Sequence, residues 1–240
     1  MRYYILIMIF IFCQISFGQD NNQKNRANEI GLETIGIVDA QFMLTYERSF
    51  GKHWTGLIGY GRKAEKGLLN TSGIDRERLK TDGVGYDGHK LLIEGRYYIK
   101  EFVGMRSTGF YVGIYSKFSN YNSNLNGIYT SSDSEDFNFL LDTEVNVTSI
   151  GLMVGYKLPL SNRFAIDFLI AGPGTVNYKI SFQNKSEELP DEFYEDLNEA
   201  LENYGIFDII DADFDFNPNK RESIFNSLSF RYAISFKFNF

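Results

Sequence analysis

The chain is poor in most of what would make its fold easy to guess. It has one cysteine, Cys13, four prolines, two histidines and one tryptophan in 240 residues. A single Cys so near the start leaves no disulfide framework and no Cys-based metal site. Two histidines, His53 and His89, are too few for a His-rich metal centre. Scarce proline allows long uninterrupted strands. A net charge of −7 gives no basic footprint, so no nucleic-acid partner is expected. Long apolar runs are also missing beyond the first residues. Stretches such as 150–156 are short and broken by glycine, so no later membrane helix is expected.

What is abundant is aromatic residues, 22 Phe and 16 Tyr, together with 22 Gly. The chain begins MRYYILIMIFIFCQISFGQ. Arg2 is a short basic region, 5–12 an apolar core, and Ser16, Gly18 and Gln19 a polar end. This predicts a secretory signal peptide over 1–19. Its apolar run is too short to span a bilayer as a helix, and Phe12 stands where a lipoprotein signal before Cys13 needs a small residue. A polar periplasmic tail is expected over 20–28.

The clearest pattern is at the end, in residues 223–240. Ile224, Leu228, Phe230, Tyr232, Ile234, Phe236, Phe238 and Phe240 alternate with Ser227, Ser229, Arg231, Ala233, Ser235, Lys237 and Asn239, with only Phe225 and Asn226 out of step. A period of two over this length is a β-strand. It is longer than soluble strands usually are and suits a bilayer-crossing barrel strand with apolar groups outward and polar groups inward.

Seven further strands are predicted, over about 29–38, 42–50, 54–62, 89–100, 109–121, 143–158 and 163–183. The phase of the 143–158 strand slips near Thr148, which predicts a β-bulge. Another kink or bulge is expected at Pro173. In the 163–183 strand, Phe164, Ile166, Phe168, Ile170, Val176, Tyr178, Ile180 and Phe182 are assigned to one face. Connections alternate between short and long, with long loops at 63–88, 122–142 and 184–222. The fold class expected is all-β: an eight-stranded antiparallel transmembrane β-barrel over 29–240, with one short acidic helix in the last extracellular loop and both termini in the periplasm.

The segments EGRYYIKEF, GFYVGIYSKFSNY and SIGLMVGYKLPLSNRFAID resemble a group of small eight-stranded outer-membrane barrels with an OmpX-like or OmpA-like architecture, most of them uncharacterised. The likeness covers most of 29–240. It implies residence in the outer membrane of a diderm bacterium, contact with outer-membrane lipid, and recognition by the barrel-assembly machinery through the C-terminal strand ending at Phe240. It carries over no activity and no cofactor.

Inward charges are expected at Glu33, Glu47, Glu94, Arg96, Lys117, Lys157, Asp167, Lys179, Arg231 and Lys237. An eight-stranded barrel is just wide enough to be filled by its side chains, and buried charges need partners. A lumen network of Glu47, Glu94, Arg96, Asp167, Arg231 and Lys237 is therefore predicted. The alternative for the same residues is an ion path through a narrow channel or transporter. A lipid-modifying enzyme would need a nucleophile beside His89, and no nucleophile elbow or serine motif accompanies it.

Residues 187–215 hold twelve carboxylates and no Lys or Arg. Within them, 190–204 has helical spacing (Phe193, Leu197, Ala200, Leu201, Tyr204), with Pro190 at its start and Gly205 as its stop. Asp211, Asp213 and Asp215 alternate as a Ca²⁺ loop begins, but the glycine and closing Glu of an EF-hand are missing. They are a candidate for weak divalent-cation binding, with a basic extracellular partner as another ligand of the acidic loop. The 184–222 segment is expected to be dispensable for barrel assembly. The function expected is a structural or surface-interaction role.

Overall fold

A computed structural model describes residues 26–65, 73–83, 85–99, 107–186, 189–202 and 222–240. The strands are β1 (Asn28–Glu33), β2 (Gln41–Phe50), β3 (Trp54–Lys63), β4 (Leu79–Thr81), β5 (Tyr86–Tyr98), β6 (Gly109–Thr130), β7 (Asp136–Pro159), β8 (Phe164–Asn184) and β9 (Glu222–Asn239). Among the described residues, one α-helix, α1 (Asp191–Glu202), precedes β9. The expected signal peptide lies outside the described residues, as does most of the expected tail.

Every pairing is antiparallel. The order β6–β5–β3–β2–β1–β9–β8–β7 closes on itself because β7 also pairs with β6, so eight strands form a ring. Closure matters physically, since a ring has no open edge at the level where all eight strands are present. The ninth strand, β4, adds only to the far end of β6. The first segment is shorter than predicted: β1 stops at Glu33 and a 3-10 turn, Ile35–Asp39, carries the chain to β2 with Ala40 in the left-handed region.

The ring has one low side and one tall side. β1, β2 and β3 are 6, 10 and 10 residues long, whereas β6, β7 and β8 are 22, 24 and 21. Residues 122–142 are therefore not a loop. They continue β6 and β7 in unbroken register up to Thr130↔Asp136, closed by a tight turn in which Ser131 N–H donates to Glu135 O. Asn and Ser disfavour strands, yet strand propensity depends on context. Here every second residue, Leu125 and Tyr129 against Phe139 and Leu141, turns inward and is buried.

The phase slip near Thr148 has a different cause from the bulge expected there. The register of β7 runs straight through Thr148 against both neighbours. Odd-numbered residues point inward along the whole strand, and it is the chemistry that reverses. Below Thr148 the inward residues include Ser149 and Lys157, while Ile150 and Leu152 are exposed. Above it Phe139 and Leu141 are buried inward, while Asn138 and Glu144 face out.

In β8 the same reversal is achieved by a real bulge. Register shifts fall between Leu169 and Gly172 against β9 and between Val154 and Gly155 against β7. The extra residue flips the phase. Ile166, Phe168 and Ile170 therefore lie on the outward side, and Val176, Ile180 and Phe182 are buried inward. The eight residues expected on one face are split between two. Pro173, next to the bulge, is exposed.

Two cores result. The lower one, inside the ring, comprises Met43, Leu57, Leu92, Tyr98, Tyr111, Tyr115, Met153, Leu169 and Ala233. The upper one gathers Leu79, Leu125, Tyr129, Phe139, Leu141, Ile180, Phe182 and Phe225 with Leu189, Phe193, Tyr194, Leu197 and Ala200 from α1 and its approach. Phe225, out of step in the sequence pattern, belongs to this upper core. Phe193 packs at 4.9 Å from Phe139 and 5.2 Å from Tyr129 between ring centroids. Each such fully buried side chain contributes roughly 1.5–3 kcal/mol of transfer free energy, so α1 is an integral part of the upper core.

Candidate functional site

The interior of the lower ring is built on charge. Alternation brings Glu47, Glu94, Arg96, Asp167, Arg231 and Lys237 inward from β2, β5, β8 and β9, and they form one connected network. Arg96 is its hub, 2.6 Å from Glu94, 2.6 Å from Asp167 and 3.4 Å from Glu47. Arg231 bridges Glu94 and Glu33, the latter at 2.7 Å. Lys237 lies 3.7 Å from Glu47 and 3.9 Å from Asp167 and donates to Thr45 Oγ1 at 2.9 Å.

Two further charges complete it. Lys157 sits between Glu29 at 2.8 Å and Glu47 at 2.9 Å. Glu29, at the first residues of β1, was not among the expected inward charges. Its alternation with Ile30 is the signal that could have found it, but six residues are too few to establish a phase alone. Lys179, expected inward, lies beyond the β8 bulge. There the phase has flipped, and it is a half-exposed residue pairing with Glu222 at 3.1 Å.

Hydroxyls finish the coordination of the carboxylates. Thr55 donates to Glu47 at 2.7 Å and Tyr98 at 3.1 Å. Tyr111 donates to Asp167 at 2.8 Å, and Arg96 stacks over the Tyr111 ring at 4.6 Å. Glycines make room for these long chains. A Cβ at Gly155 would stand 2.3 Å from the Tyr111 hydroxyl, and one at Gly31 2.5 Å from Lys237 Cδ. The chemistry of the arrangement is mutual neutralisation. Each buried charge has opposite charges and donors around it, as buried ions require.

A second cluster locks α1 to the sheet. Arg78 lies 3.0 Å from Glu192 and 3.1 Å from Asp196. Tyr129 donates to Asp196 at 2.6 Å, and Ser132 N–H donates to Glu192 at 3.0 Å. The Ser132 amide and then Arg78 hold the Glu192 carboxyl below its ordinary pKa. Burial and the bond to Asp196 push the Tyr129 phenol up.

Of the other candidates, His53 Nδ1 lies 2.8 Å from Tyr98 O, and His89 Nδ1 is 2.6 Å from the Tyr60 hydroxyl. The group that His89 meets is thus a tyrosine on the outer surface. Asp211, Asp213 and Asp215 lie outside the described residues. No cluster of His, Cys, Asp and Glu suited to a metal occurs among the described residues.

Among known families, residues 86–188 match the model of a protein of unknown function (DUF3575). The matched stretch runs from the first residue of β5 through the end of β8, so it takes in the tall side of the ring and two of the carboxylates around Arg96. No curated protein and no solved structure matches the chain.

Proposed function

We propose that this chain is an outer-membrane β-barrel with a structural or surface-interaction role, its lumen closed by the charge network and its upper module held outside the cell. The observation that carries the reading is the reversal of the apolar face along the tall strands. Below the level of Thr148, large apolar side chains are exposed all round the ring: Leu44 on β2, Ile58 on β3, Ile93 on β5, Ile114 on β6, Leu152 on β7, Ile170 on β8 and Phe230 on β9. A soluble protein does not leave such a belt in water. On β6 the outward series runs from Phe110 through Val112 and Ile114 to Phe118, broken only by Ser116, a length suited to one tilted crossing of a bilayer. Above the belt the same strands bury their apolar face, as a sheet in water does.

The sidedness of the connections agrees with this reading. The turns at 51–53 and 160–163 are short and lie at the end with both described termini. The long hairpin and α1 rise from the opposite end. Short turns face the periplasm and long segments the outside in barrels of this kind. Export by a signal peptide over 1–19, and handling by the barrel-assembly machinery through the strand ending at Phe240, belong to the same proposal.

The test is fractionation with gel mobility. The folded protein is expected in the outer-membrane fraction and to migrate differently before and after boiling. Recovery from the soluble periplasm with unchanged mobility would overturn the reading. The channel alternative is decided by planar-bilayer recording. A lumen crossed by Arg96 between Glu94 and Asp167 is expected to pass no current, and steady conductance would replace the closed reading with a pore.

A further inference from the structure

Above the charge network the lumen changes character. Upward from Glu33 and Glu94, no carboxylate occurs on the inward face of the described strands. What stands there is Lys63, Lys90 and Lys117, with the hydroxyls of Ser119, Ser149, Ser227 and Ser229. Lys117 pairs across β6–β7 with the buried Ser149, and Ser119 stands across β5–β6 from Lys90. Inward residues two apart on a strand are about 6.6–6.8 Å apart, so Lys117 and Ser119 are neighbours on one wall.

Two of these groups have valences that the protein does not use. Ser119 is buried, and its Oγ meets no hydrogen-bond partner among the described residues. Lys117 is half-buried and has no ion-pair partner among the described residues. Among the described residues, the charged groups that act on it are Lys90, Arg231 and Glu33, and Glu33 is already engaged with Arg231. A cation among cations, beside an orphaned hydroxyl, lacks a negative acceptor. This differs from the lower network, where every carboxylate and cation is matched.

We propose that the upper lumen is a binding site for a small oxyanion, a carboxylate or phosphate group, held by Lys117 Nζ and the Ser119 hydroxyl in the field of Lys90 and Arg231. The anion would accept from both donors and offset the like-charge repulsion between Lys117 and Lys90. No covalent step is involved. The site stands on the lumen geometry and not on the membrane reading, so it holds or falls independently.

The experiment is thermal unfolding of the folded protein in detergent. Wild type, Lys117→Met, Lys117→Arg and Ser119→Ala are compared in three conditions: with inorganic phosphate, with acetate, and in micelles doped with phosphatidic acid. Sodium chloride at matched ionic strength is the control. A ligand that binds only the folded state raises the midpoint with concentration. In wild type a midpoint several degrees above that in sodium chloride is expected. The rise should vanish in Lys117→Met, shrink in Ser119→Ala and persist in Lys117→Arg. A response to free phosphate or acetate identifies a free-ion site, and a response to the doped micelles alone identifies a lipid headgroup. In sodium chloride, Lys117→Met should also be at least as stable as wild type, because it removes a buried repulsion. Equal shifts in wild type and Lys117→Met, or midpoints that match the sodium chloride value in every condition, would overturn the proposal.

Discussion

The two ends of the same strands obey opposite rules. In the lower ring, Lys157, Arg96 and Asp167 are inside and Leu152, Ile114 and Ile170 are outside. In the upper module, Phe139, Leu141 and Leu125 are inside while Asn122, Glu144 and Asn138 face out. The backbone pairing is the same in both, an antiparallel ladder continuous over the full length of β6 and β7. What differs is the medium against which the outward face is matched. The fold of the ladder is indifferent to polarity, because backbone hydrogen bonds are made either way. Which face is apolar records what surrounds it.

The comparison is most sharply broken in the lower interior. Arg96→Met strands Asp167 in a buried setting, with only Lys237 left at 3.9 Å, and takes one of two arginines from Glu94. Removing one partner of a buried pair costs about 3–5 kcal/mol, and here Asp167 loses its closest cation while Glu94 loses one of its two arginines. The expected outcome is loss of the heat-stable band or a large fall in the urea midpoint. Arg231→Met should cost less, since its side chain keeps 10% exposure and Glu94 retains Arg96. A lower ring unaffected by Arg96→Met would mean that its charges do not organise it.

In the upper interior the corresponding change is Phe193→Ala, which empties an aromatic site in the upper core and should cost about 3–5 kcal/mol. The effect is expected to be local. Limited proteolysis should cut at α1 while the gel shift of the ring survives. Loss of both together would show that the two cores fold as one unit.

The outward faces separate the regions next. Leu152→Arg should lower stability by about 2–4 kcal/mol in a bilayer if that position lies near its midplane, whereas Asn146→Arg, six residues up the same strand, should be close to neutral. Similar effects from the two variants, measured by urea unfolding in lipid vesicles, would remove the difference on which the membrane reading stands.

The smallest effect is one of pH. Glu192 has its pKa lowered by the Ser132 amide and Arg78, so its contribution to helix docking is present above the ordinary carboxylate range. That contribution is lost as pH falls through the depressed folded value. The protection factors of the α1 amides, which take out the intrinsic pH dependence of exchange, should therefore fall in acid below about pH 4, with those of the lower strands unchanged, and Glu192→Gln should weaken that fall. Protection factors in α1 that stay flat down to the acid limit would show that Arg78 does not hold the helix.

Much of this was legible from the order of residues. The period of two in residues 223–240 located β9, and the inward places of Arg231 and Lys237 follow from it. Glu47, Glu94, Arg96 and Asp167 were legible for the same reason, since each falls on the polar phase of an alternating strand. The acidic helix was legible from Pro190, Phe193 and Leu197. The hairpin at 122–142 was not, because Asn and Ser carry turn propensity and only a partner strand makes their alternation structural.

By itself the sequence determined periodicity: which residues share a face of a strand, and that one face is charged. Periodicity is local, set by backbone pleat and side-chain direction. Only the tertiary structure decided which face is inside, because that depends on ring closure and on what the ring meets. The bulge at Leu169–Gly172 is the clearest case. The letters from Phe164 to Phe182 keep one alternation throughout, yet one extra residue turns the second half from the outside to the inside. It carries Lys179 out of the lumen to the surface and brings Ile180 and Phe182 into the same core as Phe193.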